Sequence, residues 1–159
     1  MTTSEITPRG RVDDFLAQRR FAMIGVSRDP RDFSRSLFRD FLARGYQVIP
    51  VHPECDAMEG LPCAKSIAAV TPPVEGVLLM TQPAVTESLS VDCAAAGVKR
   101  IWMYRATGAG SVSSRAVAFC KSRGIDVVAG ECPYMFLPDT PWVHRLHGFV
   151  KRISGTYPR

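Results

Sequence analysis

Five short, near-continuous apolar runs, separated by stretches with helical spacing, constrain this chain more than any other feature. They lie at about residues 21–26, 47–51, 74–80, 100–104 and 125–129. A strand that is apolar along its whole length must be covered on both faces, and strands that alternate with helices pair in parallel. Crossovers between parallel strands are right-handed. The simplest arrangement is therefore α/β: a doubly wound five-stranded parallel sheet with helices on both faces, its binding edge at the carboxyl ends of the strands where the winding reverses. A chain of 159 residues, 46% hydrophobic and 22% charged, suits one domain. Its core is expected at about residues 20–133.

The helices are read from spacing and punctuation. Leu37, Phe38, Phe41 and Leu42 recur at helical intervals after the first run, with Ser34 as the expected N-cap and Gly45 closing the helix. A second helix starts at Pro83, where a first turn tolerates proline, and ends at Gly97. A third covers about 113–123 and closes on Gly124, with Lys121 and Arg123 placed to favour the helix dipole. The link over residues 52–71 is proline-rich, with one short helix expected near 65–69. Shorter helices flank the core at about 12–19 and 141–153. The latter sets Trp142, Val143, Leu146, Phe149, Val150 and Ile153 against His144, Arg145, His147, Lys151 and Arg152. Such a helix is expected to pack on the sheet or, in a homodimer, on a partner subunit, rather than on a membrane or nucleic acid.

Chemistry concentrates after the first apolar run. There the sequence Phe21-Ala-Met-Ile-Gly-Val-Ser27 breaks at Gly25 into a polar loop that leads to a helix. A strand, a glycine turn and a helix N-terminus together form a phosphate cradle. Arg28, Arg31, Arg35, Arg39 and Arg44 crowd this region in a chain of net charge +5. By charge alone they fit a solvated helix face as well as a phosphate-facing cluster. The dinucleotide fingerprint G-x-G-x-x-G is incomplete here: Gly25-Val-Ser27-Arg-Asp-Pro30 has only the first glycine. An NAD site would also place a carboxylate at the end of the second strand, where this chain has His52-Pro53. A carboxylate repels a phosphorylated ribose and an imidazole accepts one, so the position favours a ligand with phosphate on its ribose. NADP meets that condition as well, although no hydride-transfer residues accompany it.

Other chemistries find less support. Cys55, Cys63, Cys93, Cys120 and Cys132 are odd in number and form no C-x-x-C pair, so neither a disulfide framework nor a zinc ribbon is expected. Cys132, just past the final strand, reads as a packed turn residue, with a reactive thiol as the competing reading. The pairs His52/Cys55 and His144/His147 have metal-compatible spacing but no third ligand nearby. No Ser/His/Asp or paired-carboxylate arrangement can be traced. No run approaches the ~18 apolar residues of a membrane span, and residues 1–10 lack the apolar centre of a secretory signal, so a cytoplasmic location is expected.

In order and spacing, several segments resemble the small stand-alone CoA-binding proteins, whose nucleotide fold is similar to the CoA-binding domain of the succinyl-CoA synthetase alpha chain. The matching pieces are Gly25-Val-Ser27, Ser34-Arg35, Gly45-Tyr46-Gln-Val-Ile-Pro-Val51 with His52-Pro53, Pro83-Ala-Val85, Ala96-Gly97-Val98, Ile101-Trp102 and Gly124-Ile125. The resemblance implies a Rossmann-like fold and binding of coenzyme A or an acyl-CoA. Residue by residue, it implies that Gly25, Ser27 and Arg28 cradle phosphate and that Ser34 and Arg35 contact it at the helix start. His52 and Pro53 would border the ribose and adenine, with Thr81, Gln82 and Pro83 on the other side. His52 stands where the family usually has asparagine, Thr81-Gln82 where it has a more basic pair, and Tyr104-Arg105 where it has a Gln-containing turn. The related CoA ligases carry their phosphorylated histidine in another domain, so the expectation is a non-catalytic binding module. The competing expectation is a small NADP-dependent or cysteine-dependent enzyme.

Overall fold

Every central strand sends alternate residues to opposite faces, and both faces are apolar. Phe21 and Met23 point one way and Ala22 and Ile24 the other; Leu78 opposes Val77 and Leu79, and Trp102 opposes Ile101 and Met103. In the computed structural model, which describes residues 7–106 and 108–138, this alternation builds a three-layer molecule. The helix expected at 141–153, with His144 and His147, lies outside the described residues.

In chain order the elements are α1 (Arg9–Ala17), β1 (Arg20–Ile24), α2 (Phe33–Ala43), β2 (Gln47–Val51), β3 (Ala57–Met58) and β4 (Leu61–Pro62). A 3-10 turn (Ile67–Ala69) follows, then β5 (Gly76–Leu79), α3 (Pro83–Ala95), β6 (Arg100–Tyr104), α4 (Ser114–Ser122), β7 (Asp126–Glu131) and a second 3-10 turn (Pro133–Met135). The main sheet is parallel throughout, in the order β2-β1-β5-β6-β7. This is the expected doubly wound Rossmann-like arrangement. From β1 the chain winds outward through α2 to β2; from β5 it winds the opposite way through α3 and α4. Right-handed crossovers then put α2 on one face, with α1, and α3 and α4 on the other.

The first face is aromatic. Phe21, fully buried, meets Phe41 edge-on at 5.0 Å, Tyr46 at 5.7 Å and Phe15 at 5.2 Å. Aromatic pairs at such separations and tilts add to the value of simple burial. The α2 helix ends as its sequence indicates: Gly45 has φ +83° and Tyr46 N–H returns to Phe41 O at 3.1 Å, satisfying a terminal carbonyl.

Three expectations are corrected. The N-cap of α2 is Asp32, whose carboxylate accepts from Ser34 N–H at 2.8 Å. An aspartate two residues earlier reaches the free amide with better geometry, and Ser34 is left for another task. The leading helix begins at Arg9 rather than residue 12 and stops at Ala17. The proline-rich link also holds a hairpin, β3–β4, that was not expected. Its two-residue turn, Glu59-Gly60, has φ +50° and +76°, which suits a tight hairpin but carries none of the usual Asn-Gly or Asp-Gly signal.

Phe21→Ala is expected to destabilise the fold by about 3–5 kcal/mol, through lost transfer energy and the cavity left among Phe15, Phe41 and Tyr46. Denaturant unfolding measures this; a loss below about 1 kcal/mol would show that the aromatic layer can collapse around the gap.

Candidate functional site

The winding reverses between β1 and β5, so the loops leaving these two strands diverge to opposite faces and open a crevice at their carboxyl ends. Gly25 sits at this point with φ +96°. A Cβ placed there would lie 2.6 Å from both C and O of Met80 and 2.9 Å from Thr81 Cγ2. No larger residue fits without moving backbone, and the conformation itself favours glycine. Met80 N–H donates to Ile24 O at 2.8 Å, holding the two strand ends together. The structure thus brings Gly25 and Thr81, from distant parts of the sequence, into contact. Thr81 Oγ1 and Thr86 Oγ1 lie 2.9 Å apart, tying this loop to the first turn of α3, whose first residue is Pro83. Gln82 is exposed at the start of that helix.

The loop after β1 is internally braced. Ser34, 4% exposed, accepts Ser27 N–H at 2.8 Å through its hydroxyl and donates that hydroxyl to Asp32. Ser27 Oγ accepts Asp29 N–H at 3.1 Å, and Asp29 Oδ1 accepts Arg31 N–H at 2.9 Å. Arg28 is different: among the described residues its N–H has no acceptor, and its side chain is 64% exposed.

The arginines divide into two groups. Arg35 donates to Glu59 Oε1 from Nε at 3.0 Å and Nη2 at 2.6 Å, and its Nη1 reaches Ser27 O and Arg28 O at 3.3 and 3.2 Å. Its side chain is only 13% exposed. Arg39 adds a 3.1 Å bond to the same Glu59 oxygen and another to Pro30 O at 2.9 Å. These two cations hold the β3–β4 hairpin tip against α2 and buttress the loop from behind. Arg31 pairs with Asp29 at 3.3 Å in solvent. Among the described residues Arg28 reaches only Glu54, at 3.6 Å, across the mouth between the loops after β1 and β2. Glu54 and Glu59 are the residues that reading the sequence missed, since the contact partners of an exposed glutamate leave no trace in spacing.

His52 closes the β2 side. Its N–H donates to Ala64 O at 2.9 Å, and its Nδ1 accepts the amides of Glu54 and Cys55 at 3.1 Å each. This makes it the pivot of a turn, with Pro53 exposed beside it. Beyond β6, the Arg105 guanidinium lies over Gly130, where a Cβ would meet its Nη2 at 2.8 Å. Cys132 is 3% exposed. The Tyr104 hydroxyl has its pKa raised by burial first and by this neighbouring thiol second. Tyr134 is likewise raised by burial, and donates to Asp40.

Among the described residues no group of three His, Cys, Asp or Glu side chains is arranged to hold a metal ion, and no helix is long and apolar enough to cross a membrane. A cavity of about 230 Å³ opens at the opposite end of the sheet, lined by Ile67, Ala68, Val70, Pro73, Val74, Ala95 and Ala96. It offers no polar side chain to orient a charged ligand.

The sequence pattern of a family described as CoA binding domain matches residues 19–138. Among solved structures, a conserved hypothetical protein from Pyrococcus furiosus is similar at 27% identity with a TM-score of 0.65, over 72% of this chain and 95% of that one. A hypothetical protein from Pyrococcus horikoshii OT3 shares the fold at 21% identity and a TM-score of 0.73, over 84% of this chain and 91% of that one. So does a dinucleotide-forming acetyl-coenzyme A synthetase of Ca. Korarchaeum cryptofilum, solved with phosphate and ADP. The match is at 24% identity and a TM-score of 0.62, over 70% of this chain and 25% of that one.

Glu59 supplies a pH prediction. The hydrogen bond from Arg35 holds its carboxyl below the ordinary glutamate value, with further help from the charges of Arg35 and Arg39. A depressed folded-state pKa stabilises the protein above the unfolded value of about 4.3, and that contribution fades as pH falls through the folded value. Glu59→Gln is therefore expected to flatten the acid limb of stability below about pH 5. Unfolding midpoints across that range test it; parallel curves for the two proteins would contradict it.

Proposed function

The chain belongs to the CoA binding domain family, and from that premise we propose that it holds coenzyme A or an acyl-CoA with the nucleotide phosphates at the crevice between β1 and β5, without catalysing a reaction on it. The observation that carries this reading is the close approach of Gly25 to Met80 and Thr81 where the winding reverses, with Arg28 three residues further along the same loop. On that loop Arg28 offers a backbone amide that has no acceptor among the described residues and an exposed guanidinium, and both suit a phosphate oxygen.

Each remaining residue takes a role consistent with its surroundings. Gly25 allows the close approach of the two loops. Ser27 caps the turn that presents Arg28. Ser34, buried, and Arg35, partly buried and engaged by four hydrogen bonds, act by shaping the loop rather than by touching ligand. His52 and Pro53 form the wall beside ribose and adenine, and Thr81, Gln82 and Pro83 the opposite wall. Glu54 is a weak internal competitor for Arg28: an exposed ion pair contributes about 0–1 kcal/mol, so an arriving polyanion displaces it at little cost.

Thermal denaturation with CoA, NADP, NAD and ATP tests the reading. A clear upward shift with CoA is expected, corresponding to about 2.7 kcal/mol at a hundredfold excess over Kd. A shift with NADP and none with CoA would replace this reading with that of a small oxidoreductase; no shift with any nucleotide would leave the domain an interaction surface. Arg28→Ala is expected to weaken CoA binding about tenfold, or about 1.4 kcal/mol, with the melting temperature of the free protein unchanged. Calorimetric titration giving equal affinities for both proteins would remove Arg28 from the site.

A further inference from the structure

The β3–β4 hairpin does more than buttress α2. Its ladder pairs Ala57 with Pro62, and Cys63 N–H continues it to Asp56 O at 2.9 Å. Cys55 and Cys63 are thereby drawn to the two sides of the hairpin base. Both side chains are partly buried and pack against the same apolar layer, together with Leu61 and Met80. The bond from Cys63 N–H to Asp56 O sets Cys63 opposite the residue next to Cys55. We propose that Cys55 and Cys63 form a reversible disulfide site, closed by thiol exchange with a low-molecular-weight disulfide.

The other cysteines mark the contrast. Cys93 on α3 and Cys120 on α4 are fully buried within the opposite face, and Cys132 lies beneath Tyr104. Among the described residues only Cys55 and Cys63 combine a neighbouring thiol with access to solvent. A disulfide asks for Cα atoms within about 7 Å of each other, which neighbouring positions across a hairpin base meet.

The two positions differ in a way that orders the reaction. Burial pushes the Cys63 thiol up to about 11, and the neighbouring Cys55 thiol adds to this. Cys55 lies towards the edge, its Sγ donating to Ala57 O at 3.0 Å. Cys55 therefore acts first. Its thiolate attacks one sulfur of R–S–S–R, forming Cys55 Sγ–S–R and expelling R–S⁻, which takes up the proton that Cys55 released. Cys63 then loses its proton and attacks Cys55 Sγ; the Sγ–Sγ bond forms and a second R–S⁻ leaves and is protonated. Two protein thiols are oxidised and one small disulfide is reduced to two thiols, so atoms and electrons balance. The new bond would close the loop carrying Glu59 and fix the turn in which His52 Nδ1 accepts the Cys55 amide. The disulfide site stands independently of the CoA reading.

The test incubates the full chain, natively folded, in glutathione buffers of graded reduced-to-oxidised ratio, then traps free thiols with iodoacetamide after acid quenching and unfolding. Cleavage after Glu59 separates the two cysteines for mass spectrometry. The expected result is joint loss of alkylation at Cys55 and Cys63 and a cross-linked species lighter by two hydrogens, reversed by dithiothreitol, with Cys93 and Cys120 still alkylated. In Cys63→Ser the reaction is expected to stop at glutathione on Cys55. Full alkylation of both residues in the most oxidising buffer, or separate glutathione adducts without a cross-link, would overturn the proposal.

Discussion

The approach of the Gly25 backbone to Met80 and Thr81 is the constraint from which the rest of the molecule's edge follows. Parallel pairing of β1 with β5 brings these two strand ends within 2.8 Å hydrogen-bond contact at Met80 N–H and Ile24 O. The opposite winding on either side of that pair sends their loops apart. Only a residue without a side chain tolerates both the left-handed turn and the 2.6 Å clearance to Met80. With that turn in place, α2 starts where it does, Ser34 lies under the loop, and Arg28 projects at the mouth.

Charge is sorted at this edge by burial rather than by number. The cluster of arginines looks in sequence like one cationic patch, but Arg35 makes four hydrogen bonds at 13% exposure while Arg28 faces a single glutamate at 3.6 Å. Removing Arg35 leaves Glu59 with Arg39 as its one remaining partner among the described residues and two loop carbonyls without that donor, a cost of about 1–3 kcal/mol for each group left unsatisfied. Releasing Arg28 costs at most about 1 kcal/mol. The same residue type therefore serves as scaffold at one position and stands exposed and weakly paired at another, seven residues away along the chain.

The parts legible in sequence were those governed by repetition or by punctuation. Near-continuous apolar runs gave the strands, glycines gave the helix ends, and the single glycine after β1 marked the turn where the winding reverses. What escaped depends on contacts between distant residues. Asp32 took the cap from Ser34 because two adequate capping residues competed within one turn. The hairpin went unseen because its strands are two residues long and its turn is Glu-Gly, stabilised by arginines twenty and more residues earlier. The placing of Cys55 and Cys63 at the base of that same hairpin follows from its register, so the number and spacing of the cysteines could not reveal it.

The most direct measurement of the central idea is the change in backbone amide signals as coenzyme A is titrated into isotopically labelled protein. The account requires the largest changes at residues 25–28, 52–54 and 81–82, with the Arg28 amide moving as it gains an acceptor. Changes confined to Ile67, Val70, Ala95 and Ala96, around the apolar cavity at the far end of the sheet, would contradict it.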